Sequence, residues 1–144
     1  MNVLMVGSSQ ATKEQAETTI KKLLEENKDW FNESFIINSD CKGIDRITNE
    51  IAHEMGIETN IITRKTLGLN GNYWKDIRIA NDVSAKMSDI SFSFVLPLGT
   101  SKGRGRCTWC KRAGLDHNHE KSSGCRTALQ VENHHIIVLD RKDA

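Results

Sequence analysis

A group of thiols and imidazoles is the part of this 144-residue chain whose side chains most clearly carry chemistry. Two residues separate Cys107 from Cys110, and Cys125 follows them, with His117 and His119 in between. Thiolate and imidazole are preferred ligands of Zn²⁺, and a Cys-x2-Cys pair is typical of a zinc knuckle. The sequence therefore predicts a zinc ion held by the three cysteines and one of the two histidines. Spacing favours His119 only slightly and excludes neither histidine.

The segment that carries these ligands, residues 98–125, is typical of an inserted loop. It contains several glycines and six basic residues but almost no apolar periodicity, so a bound metal would supply the folding energy that its composition lacks. Four protein ligands close the coordination shell, which makes the zinc structural. Two interpretations of its charge stay open, a phosphate or nucleic-acid contact surface that uses Trp109 for stacking, or a solvated loop. The basic residues concerned are Lys102, Arg104, Arg106, Lys111 and Arg112.

The elements that position this loop are predicted strands, seen as apolar runs, which alternate with predicted helices. Strands are predicted over residues 2–6, 35–37, 57–62, 90–96 and 136–139, with four intervening helices. Parallel strands need helical crossovers, and ligands of such sheets bind beyond the carboxyl ends of the strands. The sequence therefore predicts an α/β fold. We expect a Rossmann-like three-layer sandwich with a mostly parallel five-stranded sheet and the Cys/His zinc loop inserted after strand 4, all in one domain over residues 1–144.

Two loops at the predicted carboxyl edge could receive an anion. The first, residues 7–9, brings backbone amides and two hydroxyls to a helix start, where unpaired N–H groups favour negative charge. In the second, Lys42 and Gly43 allow a phosphate to approach closely, and Asp45 lies in the first helical turn. Each loop is also compatible with a plain turn that caps a helix.

These motifs resemble the SLOG superfamily of Rossmann-like domains, and most of all its YspA-like branch. The resemblance is carried by residues 7–9 (Gly-Ser-Ser), residues 42–46 (Lys-Gly-Ile-Asp-Arg) and Asn81 in the helix that leads to Asp89. It implies a nucleotide or nucleotide-derived ligand, and subunits of the family commonly pair into homo-oligomers. The implied ligand-binding residues are Gly7, Ser8, Ser9, Lys42, Gly43, Asp45, Arg78, Asn81, Gly124 and Thr127.

The resemblance also bears on activity. Members that hydrolyse nucleotides carry a catalytic glutamate three residues after their last phosphate loop, and Gln130 stands at that position here. The sequence therefore favours a binding or sensor protein and assigns no catalytic residue. One alternative is a hydrolase of an N-glycosidic or phosphoester bond that uses Asp45 or Asp89 together with Arg78. Another is a nucleic-acid-binding module that uses the basic zinc loop.

Composition narrows the choice of partners. The 20 basic and 19 acidic residues nearly cancel, so any basic site must be local. No apolar run reaches the roughly 20 residues that a membrane helix needs, and no signal-peptide pattern opens the chain. Clustering of three of the four cysteines among histidines favours a metal site over disulfides. We therefore expect a cytoplasmic protein with a small-molecule ligand and no membrane partner.

Overall fold

The structure is a computed structural model, and it describes residues 1–140. Its sheet has five strands in the order β3-β2-β1-β4-β5, and every pair is parallel. The predicted α/β fold is confirmed. The strands are β1 (Asn2–Gly7), β2 (Phe35–Asn38), β3 (Thr59–Ile61), β4 (Ile90–Val95) and β5 (His134–Val138).

Six helices connect the strands of the described region, two more than the sequence predicts. They are α1 (Lys13–Glu26), α2 (Lys28–Asn32), α3 (Ile44–Glu54), α4 (Tyr73–Lys86), α5 (Thr108–Arg112) and α6 (Ser123–Ala128). Both additional helices, α2 and α5, have five residues, which is too short for a 3.6-residue period to show in the sequence. Tertiary burial stabilises them instead, through Phe31 in α2 and Cys110 in α5.

Helices cover both faces of the sheet. Val3 and Met5 of β1 pack in a core with α1, α2 and α3, whereas Leu4 and Val6 pack on the other side with α4 and α6. Alternate residues of a strand point to opposite faces, so the central strand must be apolar throughout. This explains why β1 is a continuous hydrophobic run in the sequence.

The strand order creates a switch point at β1. From β1 the chain runs outward through β2 and β3, and it then returns to β4 and β5 on the opposite side. Loops after β1 and β4 therefore lie next to each other but lead to opposite faces, which is where open parallel sheets bind ligands. Among residues 1–140 no helix is long and apolar enough to cross a membrane.

Candidate metal centre and adjoining cleft

The predicted thiol and imidazole ligands converge after β4. The candidate ligand atoms of Cys107, Cys110, His119 and Cys125 all lie within 4.8 Å of one another, and all four residues are buried. A tetrahedral zinc with Zn–S bonds of about 2.3 Å would hold its sulfurs about 3.8 Å apart. Shifts of no more than about 1 Å would therefore close this cluster on an ion.

Short-range backbone contacts place the first two cysteines. Cys107 is the residue immediately before α5, and Cys110 lies inside that helix, so one helical turn brings both thiols to the same side. The backbone N–H of Cys107 donates to the carbonyl of His119 over 3.1 Å. This bond joins the knuckle to the returning strand-like segment, in which His119 also pairs with Pro97 at the end of β4.

The third cysteine joins the cluster to the sheet. Cys125 lies in the first turn of α6, whose preceding residue Ser122 accepts a hydrogen bond from the Gly124 amide at 3.1 Å. The Cys125 Sγ is 3.4 Å from the Ser93 hydroxyl of β4. The three cysteines pack together with Val95. A metal at this position would thus form the core of the insertion.

His119 has the geometry of a metal ligand. Its Nδ1 lies 2.9 Å from the backbone carbonyl of Glu120, so this nitrogen carries the proton and donates it. Its Nε2 is buried and has no hydrogen-bond partner in the described residues. His117 lies outside the cluster and is only half-buried, with Nδ1 3.3 Å from the Leu115 carbonyl. Of the two alternatives left open by spacing, the structure brings His119 to the thiols.

The thiols cannot all ionise by themselves. Burial raises the pKa of Cys110, and the hydrogen bond to Cys107 raises that of Cys125. Cys107, which accepts that hydrogen bond, has its pKa lowered. One thiolate held by two protonated thiols is the arrangement expected when buried like charges repel. A divalent cation would remove that repulsion and let all three sulfurs act as ligands.

A cleft of about 630 Å³ opens beside the metal cluster at the carboxyl edge of the sheet. Ser9 follows β1, Ser39 and Lys42 follow β2, and Arg64 follows β3, while Ser123 comes from the turn that precedes Cys125. The remaining lining residues are Asp40, Cys41, Arg46, Thr63, Tyr73, Trp74, Ile77, Ala80 and Asn81. The cleft therefore lies where the strand order predicts a ligand site.

Three of the ligand-binding residues implied by the sequence line this cleft, namely Ser9, Lys42 and Asn81. Ser8 is buried and donates its amide to the Phe94 carbonyl at 2.9 Å. The others do not line the cleft: Gly7, Gly43, Asp45, Arg78, Gly124 and Thr127.

The glycines serve close backbone packing. A Cβ on Gly43, whose φ is 91°, would lie 2.3 Å from the Ser8 carbonyl oxygen. A Cβ on Gly124 would lie 2.6 Å from the Cα of Gly7. Such distances leave no room for a side chain. The turn that carries Cys125 is therefore packed against the end of β1, and the loop after β1 is packed against the loop after β2.

Asp45 holds the backbone of the loop after β2 through hydrogen bonds. Its carboxylate is 5% exposed and accepts hydrogen bonds from the backbone amides of Ser39, at 3.3 Å, and Cys41, at 3.1 Å. Burial raises the pKa of Asp45 to about 7, although these amides oppose the shift. The residue thus holds the loop that carries Lys42.

Asp40 gives this loop its unusual backbone. It has a φ of 54°, and its carboxylate accepts a hydrogen bond from Asn49 at 3.0 Å. Asn49 also exchanges hydrogen bonds with Asn38 at the end of β2. A non-glycine residue persists in this conformation only where its surroundings hold it. The loop is therefore fixed before any ligand arrives.

Two residues that bear on the hydrolase alternative, Asp89 and Gln130, lie outside the cleft. Asp89 precedes β4 at the amino edge of the sheet, where it accepts from the Asn2 amide at 2.8 Å. Gln130 donates to Asp82 at 3.0 Å. Neither residue lines the cleft.

Sequence reasoning missed the outer wall of the cleft. Arg64, Tyr73 and Trp74 line it, yet they follow a strand of three residues and precede the apolar pattern of α4. An adjacent Tyr-Trp pair in an otherwise polar connection is the signal that could have found it.

Comparison with protein-family models, with curated proteins and with solved structures gives no match to this chain. Function is therefore inferred from the geometry of the two sites.

Proposed function

We propose that this chain binds a nucleotide or nucleotide-derived ligand in the cleft, as a binding or sensor protein of the SLOG type. The observation that carries the proposal is the charge of the cleft wall. Lys42, Arg46 and Arg64 line it against a single carboxylate, that of Asp40. Only Arg64 of these three cations takes part in an ion pair among the described residues, with the Asp76 carboxylate at 3.2 Å. The other two cations lie in the cleft at the carboxyl edge of the parallel sheet and can bind a phosphate.

The uncharged groups of the wall suit the rest of such a ligand. Hydroxyls of Ser9, Ser39 and Ser123 and the amide of Asn81 line the same cleft. Side chains of this kind can donate to phosphate oxygens and can both donate to and accept from sugar hydroxyls. The wall therefore offers hydrogen-bonding groups to the phosphate and to the hydroxyls of a phosphorylated sugar.

We further propose that the buried cluster binds zinc and that the zinc is structural. Three thiolates and one imidazole are a donor set typical of zinc, and Cys107, Cys110, Cys125 and His119 would complete its tetrahedral shell. The buried Nε2 of His119 supports this, because a metal is the partner that it otherwise lacks. A bound zinc would hold the insertion and the turn before Cys125 in one conformation.

Calorimetric titration with AMP, GMP, NAD and ADP-ribose tests ligand binding. We expect at least one probe to bind the zinc-loaded protein, and Lys42→Ala or Arg46→Ala to weaken it about tenfold or more, since a hydrogen bond to a charged group contributes about 1.5–3 kcal/mol. Lys86→Ala is the matched control, because Lys86 is exposed in the last turn of α4 and lies outside the cleft wall. Absence of binding by all four probes, or equal losses in Lys42→Ala and Lys86→Ala, would refute the proposal.

A second candidate function is contact with single-stranded nucleic acid through the insertion. The six basic residues of that segment face only two acids, Asp116 and Glu120, and Glu120 is buried. None of the six forms an ion pair within residues 1–140, and Arg112 lies over the Trp109 ring at 5.2 Å. Binding to an oligonucleotide should then fall steeply with salt concentration and be lost in Lys111→Ala/Arg112→Ala. Salt-independent or absent binding would contradict this second candidate.

A further inference from the structure

An exposed pair of aromatic rings forms the outer wall of the cleft. Trp74 is 76% exposed and Tyr73 is 53% exposed, although both line the cavity. Their ring centroids are 5.1 Å apart, with an interplanar angle of 79°. In this edge-to-face arrangement Tyr73 can cover at most one of the two faces of the Trp74 ring, so the other face is free of Tyr73. A tryptophan so exposed at the lip of a cleft offers a large flat apolar surface to a ligand.

Arg64 and Asp76 hold the aromatic pair in place. The Arg64 guanidinium lies over the Tyr73 ring at 5.1 Å and also pairs with Asp76, a carboxylate that is only 4% exposed. Asp76 belongs to the first turn of α4, next to the two aromatic residues. Cation–π contact and ion pair together fix Tyr73 relative to the helix. The first turn of α4, from which the Trp74 side chain projects, is therefore held in place.

The aromatic pair and the two cations that form no ion pair within residues 1–140 come from different walls. Lys42 and Arg46 lie in the loop after β2 and in α3, whereas Tyr73 and Trp74 begin α4. Helices α3 and α4 cover opposite faces of the sheet. A ligand that spans the cleft can thus place a phosphate on one side and a planar ring on the other.

We propose that the Tyr73–Trp74 pair is the platform on which the ring system of the ligand stacks. This inference rests on the proposed function and deepens it, because it makes the ligand a base-containing nucleotide and excludes a sugar phosphate that lacks a base. Stacking of a base on an aromatic side chain is strong enough to raise affinity about tenfold, and it tolerates any base because each has a π face.

A matched pair of probes isolates the base. AMP and ribose 5-phosphate carry the same phosphate and sugar, so their affinity ratio measures the contribution of the ring. We expect AMP to bind about tenfold more tightly than ribose 5-phosphate. Trp74→Ala should abolish that preference by weakening AMP to about the affinity of ribose 5-phosphate, whereas Trp74→Phe should retain it. AMP should also quench tryptophan fluorescence, and the quenching should disappear in Trp74→Ala. It should persist in Trp30→Phe, because Trp30 lies in α2 and does not line the cleft.

The outcomes separate this inference from the proposed function. Equal affinity for AMP and ribose 5-phosphate, or a preference that survives in Trp74→Ala, would overturn the stacking platform and leave phosphate binding in the cleft intact. No binding of either compound, or of GMP, NAD and ADP-ribose, would overturn both.

Discussion

Removing the metal should weaken ligand binding in the cleft, because a metal ligand and a cleft residue belong to the same turn. Ser123 lines the cleft, and Cys125 lies two residues further along the chain. Between them Gly124 packs so tightly on Gly7 that a Cβ would lie 2.6 Å from its Cα. Without an ion, the three buried thiols and His119 lose the partner that holds this turn against the loop after β1.

The size of the effect follows from the residues that become free. Fixing the backbone of one residue costs about 1–2 kcal/mol, so a turn in which Ser122 and Ser123 must be re-ordered costs about 2–4 kcal/mol. Affinity for a ligand that contacts Ser123 should then fall at least about tenfold. Linkage requires the reverse effect, so that bound ligand tightens zinc by the same factor.

The assay compares AMP affinity, by calorimetry, for zinc-loaded and metal-stripped protein and for Cys107→Ser. Zinc loss to a chromogenic chelator is measured with and without saturating AMP. Restoration of affinity by added zinc is the control, and circular dichroism checks that the sheet remains folded. The reasoning would be refuted if AMP affinity were unchanged after metal removal and the rate of zinc loss did not depend on AMP. The insertion would then be independent of the cleft.

Three further predictions concern single residues. His119→Ala should abolish stoichiometric zinc in elemental analysis and His117→Ala should not, because only His119 lies in the cluster; equal zinc in both variants would contradict the assignment. The pKa of Asp45 is raised to about 7, so stability contributed by its neutral carboxyl is present at low pH and is lost as the pH rises through about 7. Denaturant unfolding should therefore show a loss of about 1–3 kcal/mol between pH 5 and pH 8 that is absent in Asp45→Asn, and identical profiles would exclude Asp45 as the cause. Gly124→Ala should lower the free energy of unfolding by about 1–3 kcal/mol through overpacking, while Gly105→Ala, where a Cβ meets nothing within 4 Å, should be tolerated; equal stability of the two variants would contradict the packing argument.

The parts of the fold that the sequence predicted are those with a strong local pattern. Strands were predicted over residues 2–6 and 90–96, and the observed strands, Asn2–Gly7 and Ile90–Val95, agree with them to within one residue at each end. The third strand was predicted over residues 57–62 but pairs only over Thr59–Ile61, because strand ends depend on the neighbouring strand and not on composition. The last strand begins at His134, two residues before the apolar run, for the same reason.

The candidate metal centre was predictable because zinc ligands come from only a few residue types. Three cysteines and two histidines in one polar segment predicted the cluster, but the choice of His119 depended on the bridge that pairs it with Pro97, a long-range contact with no local signal. The cleft was harder to predict. Contact of Gly43 and Asp45 with a ligand stays a prediction. In the structure they shape the loop through close packing and backbone hydrogen bonds. Those roles depend on contacts among three loops, and these contacts exist only in the folded chain.

Native mass spectrometry of the zinc-loaded chain with AMP, GMP, NAD and ADP-ribose tests the central claim most directly, since it counts metal and ligand on the same molecule. We predict one zinc per chain, consistent with the single cluster found in the described residues, and one bound nucleotide for at least one probe. The nucleotide should be lost in Lys42→Ala/Arg46→Ala and retained in Lys86→Ala, with zinc retained in both. A chain without zinc, or a zinc-loaded chain that takes up none of the four probes, would contradict the account.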